Sequence, residues 1–223
     1  MKLFKQILAA AMCSFAIGAG ASPAAPAAGE EYVVLIEPQK TDTGKKVEVI
    51  EFFAYYCPHC YALEPALAAW VKKQGDNIVF KRVHVSKGPN VLPQQKLFFS
   101  LSALGLLEQN HQKVFDAMHV DNNPLRSDAA VIDWAASRGI DKNKFAETYN
   151  GMGVAAMVRR ADRMMGDYRV DYWPMLFVDG KYMTSPAEAN KRVNPLPDDE
   201  AGLHANALQV LDFLVAKAKA EKK

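Results

Sequence analysis

The segment Cys57-Pro58-His59-Cys60 restricts how this chain can fold more than any other, because it sits where a run of strand character meets a run of helical character. Val47 to Tyr55 is largely apolar on both of its alternating faces, as expected of a central strand covered by helices on each side. Tyr61 to Lys73 carries helical spacing through Leu63, Leu67 and Val71, with Pro65 expected to kink the helix in its first turns. A strand running into a helix start places Cys57 where unpaired amide N–H groups and the helix dipole favour a thiolate. Cys57 is therefore read as the nucleophile, and Cys60, one turn deeper, as the resolving thiol. Pro58 suits the first helical turn, since its missing N–H has no intrahelical partner there. His59 lies in the same turn and can stabilise negative sulfur when it donates or is charged.

The N-terminus predicts export. Met1 to Lys5 holds two lysines and no acid, Ile7 to Ile17 is apolar but short for a bilayer, and Ala19 and Ala21 fit a small-residue cleavage site. This order reads as a secretory signal peptide over residues 1–21. Cys13 lies within it, and Ala10-Ala11-Met12 lacks the pattern of a lipoprotein acceptor, so the mature chain keeps only Cys57 and Cys60. A loop closed over two intervening residues removes little entropy from the unfolded chain, so the pair is a poor staple and points to redox chemistry. Zinc is the other use of this spacing, but a closed site takes four ligands. No second cysteine pair follows, and His84, His111, His119 and His204 show no paired spacing, so no metal is expected. The chain has 27 basic and 25 acidic residues; without Lys2 and Lys5 the two balance, which gives no reason to expect a nucleic-acid partner. Lys217, Lys219, Lys222 and Lys223 read as a solvated helix end.

Residues 22–31 are rich in Ala and Pro and read as a flexible leader. Strands are expected over Tyr32 to Ile36 and Ile78 to Val85. Five helices follow, over Pro93 to Leu107, Gln109 to His119, Ser127 to Arg138, Asp141 to Asn150 and Val154 to Met165. Met175 to Val178, the turn Asp179-Gly180 and Lys181 to Thr184 form a hairpin signal, and a last helix spans Gly202 to Lys219. The result is an α/β core over 32–87 and 167–223, interrupted by a helical insertion over 88–166. Met164, Met165 and Met175 read as core rather than as a peptide groove. Glu51 is the odd residue of the central strand, since a charge is costly to bury among Val49, Ile50, Phe52 and Phe53. Either it relays the proton of Cys60 through water, its pKa raised by desolvation, or it reaches a lysine at the sheet edge.

Glu51-Phe52-Phe53-Ala54-Tyr55-Tyr56-Cys57-Pro58-His59-Cys60-Tyr61 resembles the active-site segment of the thioredoxin superfamily and, within it, of the bacterial periplasmic disulfide oxidases of the DsbA family. Pro174-Met175-Leu176-Phe177-Val178-Asp179-Gly180-Lys181-Tyr182 is similar to that family's loop and hairpin bearing a cis-proline beside the disulfide. The resemblance implies a thioredoxin-like fold with a mixed central sheet and an inserted all-helical domain, and a cis bond before Pro174. It implies that the backbone of Trp173 is free to pair with an extended substrate segment, and that Glu51 and Glu64 tune the buried cysteine. Arg82 stands where the family can carry a lysine near Glu51. Trp173 departs from the small or β-branched residue more usual there, and either shields the disulfide or takes part in recognition. Reduced exported proteins are the implied substrates, a quinone-linked inner-membrane protein of the DsbB type the implied reoxidant, and the periplasm the implied location. No cofactor is consumed.

Three functions remain in view: a dithiol oxidase, an isomerase or reductase on the same fold, and a binding module with an inert local disulfide. Isomerases usually carry an N-terminal dimerisation domain, and only about 25 residues separate Ser22 from the central strand. That spacing favours a monomeric oxidase.

Overall fold

The computed structural model describes residues 25–88 and 91–222, so the expected signal peptide over 1–21 lies outside the described residues. The last part of the expected flexible leader is tied down instead. Glu31 is buried, its carboxylate accepts from Arg192 Nε and Nη2 at 2.6 and 2.7 Å, and its carbonyl accepts from Thr184 Oγ1 at 2.8 Å. A bidentate guanidinium partner is what lets this carboxylate leave water. The first strand, β1, is only Val33–Val34, shorter than expected because the chain leaves the sheet with Ile36 almost fully exposed.

β2 (Val47–Phe53) is buried along its whole length. The helix α1 (Pro58–Gln74) follows, continuous through Pro65, and then β3 (Ile78–His84). Five helices come next: α2 (Leu92–Ala103), α3 (Leu107–His119), α4 (Asp128–Ser137), α5 (Lys142–Tyr149) and α6 (Met152–Asp167). β4 (Met175–Val178) and β5 (Tyr182–Thr184) return to the sheet. A short α7 (Pro186–Ala189), not anticipated from the sequence, precedes α8 (Glu200–Glu221). The sheet order is β1-β5-β4-β2-β3, with β2 parallel to β3 and antiparallel to β4. This is the mixed central sheet with an inserted helical unit, a thioredoxin-like fold.

The two faces of β2 feed separate cores. Val47 and Val49 pack with Leu63, Leu67 and Trp70 of α1 and with Leu211 and Leu214 of α8. Ile50 and Phe52 pack on the other side, where the Phe52 ring lies 5.4 Å from both Tyr168 and Phe177. Met165 and Met175 are buried in this second core, in keeping with their core reading. At and just beyond the end of β2, Phe53 and Tyr55 meet the insertion edge to face, with Phe53 5.3 Å from Phe98 and Tyr55 5.0 Å from Phe115. The β4–β5 turn has φ +53° at Asp179 and +65° at Gly180, the primed hairpin geometry expected of Asp-Gly. At Gly180 a Cβ would collide with the Gln39 carbonyl, so the close approach as well as the φ calls for glycine.

α8 lies along α1. Trp70 Nε1 and Gln74 Nε2 both donate to Asp212 Oδ1, at 2.8 and 2.6 Å. The lysine-rich end of α8 is not simply solvated. Lys222 Nζ is 2.6 Å from Asp179 Oδ1 and donates to the Lys46 carbonyl at 2.7 Å, because α8 ends against the β4–β5 turn and the start of β2. No helix among the described residues is long and apolar enough to cross a membrane.

Leu67 is fully buried between the sheet and α8. Leu67→Ala should lower stability by about 2–5 kcal/mol, through lost burial plus the cavity left behind. Urea unfolding should show this as a lower midpoint at unchanged slope.

Candidate active site

α1 starts at Pro58, in the first helical turn where the sequence places it, and Cys57 occupies its N-cap with φ −82° and ψ 118°. The sulfur does what a capping oxygen usually does: Cys57 Sγ accepts from the Cys60 amide at 3.3 Å. Pro58 at the first helical position leaves no competing N–H. Both cysteines are free thiols and both are buried. The Cys57 thiol is lowered from 9.0 to about 7, chiefly by the hydrogen bond from the Cys60 side chain. Burial opposes the shift, and the amides of Cys60 and His59 and the His59 charge add to it. Cys60 is pushed the other way, well above the ordinary thiol range, by burial and then by Cys57 and the nearby Glu51.

Glu51 lies opposite Arg82 in the β2–β3 register, which explains how it can be buried. Its partner at the sheet edge is thus an arginine rather than a lysine. Arg82 Nη2 donates to Glu64 Oε1 at 2.7 Å, while Arg82 Nε is 3.4 Å from Glu51 Oε2. Three carboxylates approach this guanidinium: Glu64 most closely, then Glu51, and then the exposed Glu108, whose Oε1 is 3.7 Å from Arg82 Nη1. Glu51 is accordingly pushed up to about 8, by burial first and by Glu64 second, against the attraction of Arg82. A protonated Glu51 spares the buried part of the cluster a second negative charge beside Glu64, which is favourable in a dry site. The insertion completes the cluster: His111 on α3 has Nε2 3.4 Å from Glu64 Oε2 and Nδ1 2.9 Å from the Tyr55 hydroxyl. Burial holds His111 below the usual histidine range.

The loop before β4 closes the site from the other side. The Trp173-Pro174 bond is cis, as the resemblance implies. In this dithiol state the Trp173 backbone is engaged, because its carbonyl accepts from the Cys57 thiol at 3.7 Å. The Trp173 ring stands edge to face against Tyr56, centroids 6.0 Å apart, and the Tyr56 hydroxyl donates to the Lys87 carbonyl. His59 remains largely exposed, with Nδ1 2.6 Å from Glu200 Oε1 at the start of α8.

The structure therefore gathers Cys57, Pro58, His59, Cys60, Trp173 and Pro174 at the end of β2, with Glu51 and Glu64 behind the cysteines. Sequence reasoning missed Tyr55, Tyr56, His111 and Glu200. Tyr56 adjoins the motif and was within reach of inspection, whereas His111 and Glu200 carry no local pattern that announces their partners. Among the described residues, no group of three or more His, Cys, Asp or Glu side chains is placed to hold a metal ion. A disulfide at Cys57 and Cys60 would be open to attack at Cys57, the more accessible of the two sulfurs, and Cys57 is the more stable anion when a mixed disulfide later releases it.

Two family models match the chain, thioredoxin over residues 37–100 and the DSBA-like thioredoxin domain over residues 75–194. The thiol:disulfide interchange protein DsbA of Burkholderia cepacia is 42% identical over 222 residues, covering 98% of this chain and 99% of that protein. Its counterpart from Pseudomonas aeruginosa is 31% identical, covering 88% and 87%. The crystal structure of Pseudomonas aeruginosa DsbA superposes with a TM-score of 0.78 at 30% identity, covering 88% of this chain and 96% of that one. The oxidoreductase DsbA of Xylella fastidiosa gives a TM-score of 0.75 at 25% identity, covering 87% and 98%.

Two outcomes follow from the electrostatics. Alkylation of the reduced protein should show Cys57 reacting with a midpoint near pH 7, the value to which its thiol is lowered, while Cys60 stays unmodified at that pH. For Glu51 the folded protein keeps a proton, up to about pH 8, that the unfolded chain gives up near 4.5. Between those values the unfolded state binds fewer protons, so stability falls as pH rises. Glu51→Gln should remove that part of the slope, so that chemical unfolding at pH 5 and pH 8 shows the variant gaining on the wild type at the higher pH.

Proposed function

The chain belongs to the DsbA family of thiol:disulfide oxidoreductases with a thioredoxin-like fold, and from that membership we propose a periplasmic dithiol oxidase that introduces disulfide bonds into exported proteins. The observation that carries the direction of the reaction is the opposed shift of the two thiols. A fall from 9.0 to about 7 at Cys57 leaves about half of it ionised at pH 7, which stabilises the reduced form by about 0.4 kcal/mol there and by up to about 2.7 kcal/mol, or about 60 mV for a two-electron couple, above pH 9. The reduced enzyme gains that stability and the disulfide does not, so the disulfide is the stronger oxidant.

In this reading a substrate thiolate attacks Cys57 Sγ of the Cys57–Cys60 disulfide. The mixed disulfide forms, and the S–S electron pair leaves on Cys60, which takes up a proton. The second substrate thiolate then attacks the substrate sulfur, and Cys57 departs as the stabilised anion. His59 and Pro58 serve that anion, His59 by charge and Pro58 by fixing the helix start. Glu51, neutral and buried, supplies the proton that Cys60 needs, and Glu64 holds Arg82 so that Glu51 keeps it. Trp173 and Pro174 present backbone to an extended substrate segment once the Cys57 thiol no longer occupies the Trp173 carbonyl.

The proposal extends to what surrounds the chemistry. Residues 1–21 direct export and are removed, residues 22–31 lead into the fold, segments 32–87 and 167–223 form the thioredoxin-like domain, and 88–166 form the insertion. The protein acts as a monomer, and an inner-membrane quinone-linked protein of the DsbB type restores its disulfide.

The oxidised protein should oxidise a dithiol peptide stoichiometrically, and Cys57→Ser should abolish the reaction. In glutathione buffers the Cys57–Cys60 pair should remain reduced at ratios that oxidise a reducing thioredoxin. Oxidation of the pair at the same ratio as thioredoxin would turn the reading toward a reductase.

A further inference from the structure

His59 is tied to a residue far away in sequence. Its Nδ1 lies 2.6 Å from Glu200 Oε1, and Glu200 opens α8, the helix that runs beside α1. A carboxylate only accepts hydrogen bonds, so the shared proton belongs to Nδ1. In the neutral ring this leaves Nε2 as the lone pair. Nε2 has no protein partner among the described residues, and the His59 side chain is 68% exposed. The titratable groups facing the ring are Cys57 from its own helix and Glu200 and buried His204 from α8. Glu200 needs no such partner for the fold: its side chain is 47% exposed, and the α8 N-cap is made by Asp199, which accepts from the Gly202 amide at 2.8 Å.

A nucleophile, a base within reach of it and a third group that orients the base is the recurring arrangement of assisted thiol and hydroxyl attack. Here the incoming thiol is the substrate's. We propose that Glu200 is a positioning residue which holds His59 with Nε2 free to take the proton of the attacking substrate thiol. This inference rests on the oxidase reading and deepens it. The substrate S–H bond breaks with its proton going to Nε2, and the substrate sulfur bonds to Cys57 Sγ. The Cys57–Cys60 bond breaks with its electron pair going to Cys60. The second substrate thiol closes the substrate disulfide and releases Cys57, so the substrate loses two electrons and the enzyme pair gains them. Cys60 takes the proton of Glu51, which regains one through water from the proton left on Nε2, and the second substrate proton passes to water while Cys57 departs as its thiolate.

Thiol chemistry limits the size of the effect. An ordinary thiol with a pKa of about 8.5 is about 3% ionised at pH 7, so a base can accelerate attack by about thirtyfold at most there, and by almost nothing once the thiol ionises unaided. A positioning residue should account for part of that gain.

The test is the single-turnover rate of the oxidised protein with a peptide carrying one ordinary cysteine, at pH 7 and pH 9.5. Glu200→Ala should be slower by about three- to tenfold at pH 7 and equal to the wild type at pH 9.5. Glu200→Gln, whose side-chain carbonyl can still accept the Nδ1 proton, should lie between the two. Adding Glu200→Ala to His59→Ala should cost nothing further, since the carboxylate acts through the ring. No deficit at pH 7, a deficit of equal size at both pH values, or a further loss in the double variant overturns the proposal. Should the wild type itself fail to form the mixed disulfide, it is the oxidase reading that falls.

Discussion

The covering of β2 on both faces determines where the chemistry can be. With Val47 and Val49 packed under α1 and α8, and Ile50 and Phe52 packed on the opposite side, the strand cannot slide or tilt without exposing one core or the other. Its exit from the sheet is therefore fixed, and Cys57 is delivered to the first turn of α1 at a defined height. The Cys60 amide then finds sulfur where a helix would ordinarily find a serine or aspartate oxygen. Folding and acidity meet at this sulfur, since the group that completes the helix end is also the more acidic of the two thiols.

The two sulfurs differ because of what lies behind each. Cys57 faces amides, the His59 ring and the edge of the molecule, while Cys60 faces Glu51, the innermost member of a cluster with Glu64, Arg82 and His111. Four polar atoms of that cluster, Glu51 Oε2, Glu64 Oε2, Arg82 Nε and His111 Nε2, are buried without a hydrogen-bond partner. Groups left in that condition favour whichever protonation state removes net charge. A neutral Glu51 meets that demand, and it is this proton that the proposed reaction passes to Cys60.

Much of this was legible in the sequence, and the boundary of legibility has a physical basis. β2, the Asp179-Gly180 turn and the helices of the insertion announce themselves through periodicity and turn chemistry, which are local. The Cys57 microenvironment was legible too, because strand, proline and helix start are contiguous. Glu51 stood out as a carboxylate in an apolar strand, yet its true partner depends on the register of β2 with β3, and register is a property of pairing rather than of either strand. The His59–Glu200 contact joins residues on two helices brought together only by the packing of α1 against α8. The pinning of Glu31 by Arg192, which orders a segment that composition reads as loose, is non-local in the same way.

The insertion reaches the end of β2 at two points: His111 meets the Tyr55 hydroxyl at 2.9 Å, and His119 Nε2 meets the Tyr55 carbonyl at 2.8 Å. Tyr55 thus has its side chain and its backbone held by one helix of a unit that contributes no cysteine. Grafting Cys-Pro-His-Cys onto a plain thioredoxin scaffold would carry over the tetrapeptide and leave this clamp behind. The anchoring of the chain just before the motif is in that sense a property of the junction between two structural units, and an engineer wishing to transplant the motif with that anchorage would have to move α3 as well.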